Sequence, residues 1–264
     1  MSDALAGRSI VVIGGTTGLG LSAAKAFIAA QAQVTVVGRN SESVERAVAL
    51  LGANSRGLAG DAAHPDTAQR AINTAMEAFG KFHGLYHVAG GSGRRLGDGP
   101  LHEITDQGWA GTLDLNLTGL FYSNRAAVQQ FLRQRTGGVV LNMASVLGFS
   151  PSPRYFSTHA YATAKAAIVG LTRSSAAYYA AQNIRFNVIA PALVATPMSQ
   201  RAQGDESILR FMTTKQPLDG GRIGQPEDLD GAAVYLMSEQ SRFVTGQVLA
   251  VDGGWSVSEG QYHE

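Results

Sequence analysis

The sequence predicts an α/β fold in which a doubly wound parallel sheet is covered by helices on both faces. Short β-branched runs alternate with longer Ala-rich stretches, and the first two runs, SIVVIG and QVTVVG, both end in glycine. Continuous apolar runs of this kind are typical of strands in a parallel sheet that is buried on both faces. Strands and helices that alternate through right-handed crossovers give a three-layer sandwich. A length of 264 residues therefore predicts a single domain over 1–264, since such folds reach about 250 residues on one core.

The strands and helices are predicted in strict alternation. Seven strands are predicted, at Ser9–Gly14, Gln33–Gly38, Arg56–Ala59, Gly84–Ala89, Val139–Met143, Ile184–Ile189 and Gln247–Val251. Helices are predicted at Leu19–Ala30, Ser43–Leu51, Pro65–Phe79, Trp109–Gln134, Ala160–Gln182 and Pro226–Met237. Ser41 is predicted to cap the second helix, and Gly52 to end it. The Pro- and Gly-rich stretch 192–225, with a possible helix at Ser207–Thr214, is predicted to be either a substrate lid or a plain surface connection.

Composition and charge exclude several classes of protein. Apolar residues reach 45%, too many for a disordered chain. The net charge is +1 without a long basic run, so neither a nucleic acid nor a membrane is predicted as a partner. The chain has no cysteine, which excludes disulfides and zinc–thiolate sites, and no metal site is predicted. No stretch approaches about 18 apolar residues, and the N-terminal apolar run is short, so a cytoplasmic protein is expected.

A glycine-rich turn follows the first predicted strand and runs into a helix. It reads Gly14-Gly15-Thr16-Thr17-Gly18-Leu19-Gly20. Glycines at such a turn let backbone N–H groups approach a pyrophosphate at the helix N-terminus. The strand–turn–helix context predicts a dinucleotide site, although a tight turn that binds nothing would have the same glycines.

The end of the second strand bears on the choice of dinucleotide. NAD enzymes tend to place an acid there for the ribose 2′-hydroxyl, whereas this chain has Arg39 followed by Asn40 and Ser41. A guanidinium suits a 2′-phosphate, so NADP is favoured over NAD, unless Arg39 is only a solvated loop cation. Asp61, after the third strand, is a candidate acceptor for the adenine amino group or a simple turn former.

The most specific local pattern is Tyr161-Ala-Thr-Ala-Lys165. Residues four apart share a helix face, so the ammonium is expected to lower the pKa of the phenol and make Tyr161 a general acid or base. A Tyr and a Lys at this spacing are, by themselves, common on solvated helix faces.

Six motifs in register make the chain resemble the short-chain dehydrogenase/reductase family, and most closely its compact classical type, in which 3-oxoacyl-carrier-protein reductases fall. The matching residues are Gly14, Gly18 and Gly20 of the glycine turn, Asn116 in LDLNLTG, Ser145 in NMASVLG, Tyr161 with Lys165, the run IRFNVIAPA at 184–192, and Thr196 with the closing VDGG at 251–254. The resemblance covers essentially the whole chain. It implies a Rossmann-type domain that binds a nicotinamide cofactor.

The resemblance also implies a role for each matched side chain. Ser145 would polarise a substrate carbonyl, Tyr161 would transfer the proton, Lys165 would bind the nicotinamide ribose, and Asn116 would hold a water in a proton relay. The implied cofactor-binding residues are Gly14, Thr16, Thr17, Gly18, Leu19, Gly20, Arg39, Asn40, Asp61, Ala62, Ala89, Gly90, Tyr161, Lys165, Pro191, Val194 and Thr196.

Two departures from the family pattern stand out. The family's Asn-Asn-Ala-Gly is His87-Val88-Ala89-Gly90 here, so the support that the second Asn gives must come from elsewhere. Three additional residues lie between Ser145 and Tyr161, in a segment at 148–159 that is expected to wall the substrate pocket.

The substrate is expected to be a small carbonyl compound or alcohol. Its predicted walls, 91–100, 149–158 and 192–225, carry the cations Arg94, Arg95, Arg154, Arg201, Arg210 and Lys215. An acidic substrate is one interpretation of these cations, and simple solvation is the favoured one. Small residues and two tyrosines along 160–182 predict helix pairing across a two-fold axis and a homotetramer.

Three functions remain open on the sequence. The favoured one is an NADP-dependent carbonyl reductase or alcohol dehydrogenase, with an NAD-preferring dehydrogenase as its variant. A nucleotide-sugar epimerase or dehydratase would need a further substrate domain, for which 264 residues leave little room. A non-catalytic, cofactor-binding regulatory protein would be expected to lack at least one of the four matched catalytic side chains.

Overall fold

In a computed structural model, the described part of the chain, residues 3–261, builds one sheet of seven parallel strands. The strands are β1 (Ser9–Ile13), β2 (Gln33–Gly38), β3 (Ser55–Ala59), β4 (Gly84–His87), β5 (Gly138–Met143), β6 (Ile184–Pro191) and β7 (Val248–Val251). Their order across the sheet is β3-β2-β1-β4-β5-β6-β7. The predicted doubly wound parallel sheet is thereby confirmed, and its strand order reverses between β1 and β4.

Helices connect the strands and cover the sheet. They are α1 (Gly18–Ala29), α2 (Ser41–Leu51), α3 (Thr67–Phe79), α4 (Asp106–Leu113), α5 (Gly119–Gln134), α6 (His159–Tyr179), α7 (Gln200–Gln203), α8 (Glu206–Lys215) and α9 (Asp230–Met237). The predicted helix at Pro226–Met237 is a 3₁₀ turn, Pro226–Leu229, followed by α9. The one predicted at Ala160–Gln182 is α6 followed by a 3₁₀ turn at Ala180–Gln182.

Alternate side chains of each strand point to opposite faces of the sheet and so feed two separate cores. Ile10 and Val12 of β1 pack with side chains of α1, α2 and α9, among them Phe27. Val11 and Ile13 pack on the other face with α3 and α5, where Phe131 is buried. This double burial is the reason that the strands have the continuous apolar sequence noted above.

Two details of the predicted helices are wrong. The helix predicted over Trp109–Gln134 is divided into α4 and α5 by a π-helical turn, Asp114–Thr118. The cap of α2 is Asn40 and not Ser41, because the Asn40 side chain accepts a hydrogen bond from the Ser43 N–H at 3.0 Å. Gly52 does end α2, with φ +79°.

The stretch 192–225 is more regular than its Pro and Gly content predicts. It contains α7 and α8, and α8 corresponds to the helix predicted at Ser207–Thr214. Buried side chains of this stretch, Leu193, Ile208, Phe211 and Met212, pack in one cluster with Trp255 near the C-terminus. Among the described residues, no helix is both long enough and apolar enough to cross a membrane.

Candidate active site

The carboxyl ends of the central strands meet at one edge of the sheet, and the predicted site residues follow them. The turn after β1 begins at Gly14 with φ +85°, and Gly18 has φ +50°. Gly20 has a different function, since a Cβ there would lie 2.1 Å from the Gly14 carbonyl oxygen. Its missing side chain lets α1 approach the turn, and Gly20 itself is not among the residues that line the two cavities described below.

The N-terminus of α1 has open hydrogen-bonding capacity toward an anion. The capping position is Thr17, whose side chain accepts no hydrogen bond from the helix, and the first turn contains no acidic residue. The N–H groups of this turn therefore lack the side-chain acceptor that usually satisfies them. A pyrophosphate fits such a terminus, with the favourable direction of the helix dipole.

A cavity of about 380 Å³ lies along this turn, at the point where the strand order reverses. In open α/β sheets, ligands bind at this point. Twelve of the predicted cofactor-binding residues line it: Gly14, Thr16, Thr17, Gly18, Leu19, Arg39, Asn40, Asp61, Ala62, Ala89, Gly90 and Thr196.

Residues that follow β2 and β3 also line this cavity. Arg39 and Asp61 are both exposed and both line it. Asp61 acts as a turn former, because its Oδ1 accepts the Ala63 N–H at 3.0 Å. Arg39 and Asp61 are the charged residues among those that line this cavity.

A second and larger cavity of about 730 Å³ continues from the first. The two share lining residues, among them Leu19, Arg39, Gly90 and Thr196. Ser145, Tyr161, Pro191 and Val194 line the larger one. The structure therefore brings fifteen of the seventeen predicted cofactor-binding residues, together with Ser145, to one continuous groove. Gly20 and Lys165 line neither of the two cavities.

Ser145 and Tyr161 come together at the larger cavity from β5 and α6. Ser145 follows β5, and its Oγ accepts the Leu147 N–H at 3.2 Å. Lys165 lies one turn after Tyr161 on α6, with its Nζ 5.4 Å from the centre of the Tyr161 ring. The Lys165 ammonium also donates to the Met143 carbonyl at 3.0 Å, which anchors it to the end of β5.

The pKa of Tyr161 is shifted in the direction opposite to the one expected from the sequence. Burial raises the pKa of Tyr161 to about 12, and its hydrogen bond with Ser145 lowers it by less. Burial also lowers the pKa of Lys165 to about 8. The expected lowering of the phenol pKa by Lys165 is therefore wrong for the protein alone, because desolvation outweighs the favourable neighbours.

Asn116 lies in the π-helical turn between α4 and α5 and is fully buried. Its amide nitrogen donates to the Gly91 carbonyl at 2.9 Å and to the Thr112 carbonyl at 3.0 Å. Its oxygen accepts the Gly91 N–H at 3.1 Å. Asn116 thus fixes the loop after β4, and a Cβ at Gly90 would lie 2.7 Å from its oxygen. π-turns often occur at functional sites.

His87 replaces the first Asn of the family pattern and supplies the support that its loop needs. Burial lowers the pKa of His87 to about 3, so the ring is neutral. Its Nε2–H donates to the Ala89 carbonyl at 3.1 Å, and its Nδ1 accepts from the Ser123 hydroxyl at 2.6 Å. Val88, in place of the second Asn, packs against the core.

Asp98 contacts the helix of Tyr161 and was not predicted from the sequence. It is buried at the N-terminus of α6, where its two carboxylate oxygens accept the N–H groups of Ala160 and Tyr161, each at 2.9 Å. A lone acid between two glycines, in a loop with two arginines, was the available signal. His159, the first residue of α6, lies outside the lining of both cavities.

The six predicted wall cations divide into two groups. Arg94, Arg95 and Arg201 line the larger cavity. The other three are engaged elsewhere: Arg154 lies over the Tyr155 ring, Arg210 pairs with Glu206, and Lys215 donates to the Ser258 carbonyl. From the predicted wall at 149–158, Phe156 and Thr158 reach the cavity.

Comparison with known proteins finds similar dehydrogenases and reductases over nearly the whole chain. A family described as enoyl-(acyl carrier protein) reductase matches residues 14–256. The 2,5-dichloro-2,5-cyclohexadiene-1,4-diol dehydrogenase of Sphingobium indicum is 34% identical over 97% of this chain and 99% of its own length. The NADP-dependent (R)-specific alcohol dehydrogenase of Lentilactobacillus kefiri is 31% identical, over 97% of this chain and 99% of its own.

A solved structure agrees with these relatives. A short-chain type dehydrogenase/reductase from Mycobacterium ulcerans superposes with a TM-score of 0.88 and 32% identity, over 97% of this chain and 92% of that one. The resemblance inferred from six motifs is therefore confirmed across sequence and fold. The chain belongs to the short-chain dehydrogenase/reductase family and is an oxidoreductase of its classical type.

Proposed function

We propose that this oxidoreductase transfers a hydride between NADP(H) and a small carbonyl compound or secondary alcohol, with Tyr161 as the general acid or base. The observation that carries the proposal is that Ser145 and Tyr161 line one cavity of about 730 Å³, which continues into the groove along the glycine turn. A substrate in this cavity would meet both hydroxyl groups beside the cofactor groove. The bound nicotinamide would supply the hydride in reduction and accept it in oxidation.

Ser145 and Tyr161 have different roles at the substrate oxygen. The Ser145 hydroxyl donates a hydrogen bond to the carbonyl and polarises it, while the Tyr161 phenol donates the proton. The raised pKa of Tyr161, about 12, keeps the phenol protonated at neutral pH. Tyr161 is therefore a protonated, neutral acid at the start of reduction. For oxidation the phenol must lose its proton before it can act as the base.

Lys165 and Asn116 organise the site around this pair. Lys165 binds the ribose hydroxyls of the nicotinamide half, since its ammonium lies next to Gly90, which lines both cavities. Asn116 holds the loop after β4 through both backbone groups of Gly91. These two side chains fix geometry, and a group held in reactive geometry removes much of the entropic barrier.

Arg39 supports NADP as the preferred cofactor. Its guanidinium lines the cavity at the end of β2, where an NAD site has an acid. The nearest acid along the chain, Glu42, pairs with Arg46 at 2.9 Å on α2. A relative is NADP-dependent by name, and a planar guanidinium is suited to bidentate binding of a phosphate.

The stretch 192–225 is proposed as the substrate lid of a single domain. Its residues Leu193, Val194 and Thr196 through Ala202 line the larger cavity. We further propose a homotetramer that is paired through α5 and α6, where Phe121 is 42% and Tyr178 is 75% exposed. Of the small residues along α6, Ala164 is buried within its own chain and does not take part. A monomeric mass in light scattering would contradict the tetramer.

The proposed activity is tested by loss of NADPH absorbance with a panel of diketones, ketoacids and small cyclic ketones. Tyr161→Phe is expected to lose turnover and keep NADPH binding, measured by cofactor fluorescence. Tyr235→Phe, at an exposed position of α9 that lines neither cavity, is the matched control and is expected to keep both. Turnover by Tyr161→Phe at the wild-type rate would remove Tyr161 from the mechanism.

A further inference from the structure

The larger cavity has a one-sided charge. Its lining carries four arginines, Arg39, Arg94, Arg95 and Arg201, and none of its lining residues is Asp, Glu or Lys. Arg39 belongs to the end that is shared with the cofactor groove, and the other three line the larger cavity alone. Low-dielectric walls lined by one sign of charge concentrate counter-ions. The substrate end of the groove is therefore electropositive even when Arg39, at the shared end, is left out.

Two of these arginines come from separate elements and meet at one atom. Arg94 lies in the 3₁₀ turn Gly93–Leu96, and Arg201 lies in α7. Each donates an Nη2–H to the Tyr155 carbonyl oxygen at 3.2 Å. Both guanidinium groups are thus held side by side, with most of their five donors unused.

The two like charges lie close enough to affect each other. Burial lowers the pKa of Arg94, and the Arg201 guanidinium lowers it further. Within residues 3–261, neither Arg94 nor Arg201 has a carboxylate within 4.0 Å. Asp98 is the acid that counteracts the shift of Arg94, but its two oxygens already accept N–H groups of α6.

A purely structural role explains this arrangement poorly. One donor would suffice to hold the Tyr155 carbonyl, and a neutral Gln or Asn would do so without repulsion. Two adjacent cations that face a cavity, with no paired carboxylate, are what bidentate recognition of an oxyanion requires. Most of the remaining lining is apolar or aromatic, with Leu147, Phe156 and Trp255 among its members, and hydroxyl and amide side chains make up the rest.

We propose that Arg94 and Arg201 form a subsite for an anionic group of the substrate, so that the substrate is an apolar organic acid that bears the reacting carbonyl or alcohol. The group is a carboxylate or another small oxyanion such as a phosphonate, which a guanidinium pair binds in the same way. Arg95 adds positive charge at the same wall. This inference rests on the proposed function for the reacting end of the substrate, and on the two arginines for the anionic end.

Binding of an unreactive acid tests the subsite without turnover. Hexanoate and hexanamide are titrated calorimetrically into the NADPH-loaded enzyme at constant ionic strength. The two ligands share a hydrocarbon chain, and only hexanoate has a negative charge. We expect hexanoate to bind about tenfold or more tightly than hexanamide, since hydrogen bonds to charged groups are the stronger ones. Hexylphosphonate distinguishes a phosphonate-type anion from a carboxylate.

Variants assign the binding to the two arginines. Arg94→Gln with Arg201→Gln is expected to abolish the difference between acid and amide, and Arg201→Lys to keep part of it. Arg210→Gln, on α8 and paired with Glu206, is the matched control and is expected to leave the difference unchanged. If the double variant melts early, the single variants Arg94→Gln and Arg201→Gln replace it.

The kinetic arm uses 4-oxopentanoate and its methyl ester as matched ketones. The wild type is expected to favour the acid in kcat/KM, the arginine variants to lose this preference, and Arg210→Gln to keep it. Equal binding of hexanoate and hexanamide, no binding of either, or hexanoate binding that survives the double variant would overturn the subsite. Tight hexanoate binding without turnover of any carbonyl would instead refute the proposed function and leave the subsite in place.

Discussion

The carboxylate of Asp98 accepts the main-chain N–H of Tyr161 at 2.9 Å, across 63 residues of sequence. Its other oxygen accepts the N–H of Ala160 at the same distance. An acid at a helix N-terminus stabilises the helix through these hydrogen bonds and through the macrodipole. These hydrogen bonds also position the site, because Tyr161 is the residue whose phenol faces the cavity.

Replacement of Asp98 by Ala is expected to lower both stability and turnover. It leaves one buried and one partly buried N–H group without acceptors, which costs about 1–3 kcal/mol for each group. Asp98→Asn keeps one acceptor oxygen and is expected to fall between the wild type and Ala. Urea denaturation measures the stability, and kcat measured well below the unfolding midpoint reports the position of Tyr161.

A purely structural role of Asp98 would lower the free energy of unfolding and leave the kcat of the folded fraction unchanged. Asp106→Ala is the control, because Asp106 is an exposed acid in the first turn of α4 and lines neither cavity. Its kcat is expected to equal that of the wild type. An Asp98→Ala enzyme with wild-type kcat would show that Asp98 does not position Tyr161.

The pH dependence of carbonyl reduction is expected to follow Lys165. With a pKa of about 12, Tyr161 stays protonated across the working range, whereas the Lys165 ammonium loses its proton around pH 8. kcat/KM for reduction is therefore expected to fall above about pH 8. A profile of kcat/KM from pH 6 to pH 10 measures it, and a flat profile would separate Lys165 from the reaction.

The same pKa shift sets the sign of a stability effect. The pKa of Lys165 in the folded protein, about 8, is below its ordinary value of 10.5, so the unfolded chain binds more protons between these two values. The contribution of Lys165 to the free energy of unfolding therefore rises as the pH increases from about 8 to about 10.5. Lys165→Met removes this contribution. Urea denaturation at pH 7.5 and pH 10 is expected to show a smaller increase in the free energy of unfolding for this variant than for the wild type.

The fold and the placement of Tyr161 beside Lys165 could be predicted from the sequence for a physical reason. Strands buried on both faces need continuous apolar runs, and a spacing of four residues places Tyr161 and Lys165 on one face of α6 whatever surrounds them. Burial is different, because the raised pKa of Tyr161 depends on side chains from several elements. Asp98 was missed for a similar reason, since its capping bonds cross from a glycine-rich loop to a distant helix.

The π-turn and the wall cations show two further limits of pattern reading. A π-turn changes the periodicity over five residues, Asp114–Thr118, too few to disturb the helical pattern around Asn116. The cations in the loops have no periodicity at all. Arg201 and Arg210 lie nine positions apart on the same excursion, yet one lines the cavity and the other pairs with Glu206.

Asn116→Ala is expected to destabilise the loop after β4. The change removes the acceptor of the Gly91 N–H and the donor to the Gly91 and Thr112 carbonyls, all of them buried or partly buried. Each unsatisfied group costs about 1–3 kcal/mol. Asn73→Ala, at an exposed position on α3, serves as the control in thermal unfolding. Equal melting temperatures for Asn116→Ala and the wild type would contradict the role assigned to these hydrogen bonds.

Arg39→Ala is expected to change the cofactor preference of the enzyme. Loss of a guanidinium–phosphate contact removes a charge-assisted hydrogen bond of about 1.5–3 kcal/mol, which corresponds to a rise of about ten- to hundredfold in KM for NADPH. KM for NADH is expected to change little, because that cofactor has no 2′-phosphate. Arg46→Ala removes an exposed arginine of α2 that pairs with Glu42 and lines neither cavity, so its ratio of the two KM values is expected to match the wild type. Steady-state kinetics with both cofactors give the ratio, and an unchanged ratio in Arg39→Ala would show that Arg39 is a solvated cation beside the groove.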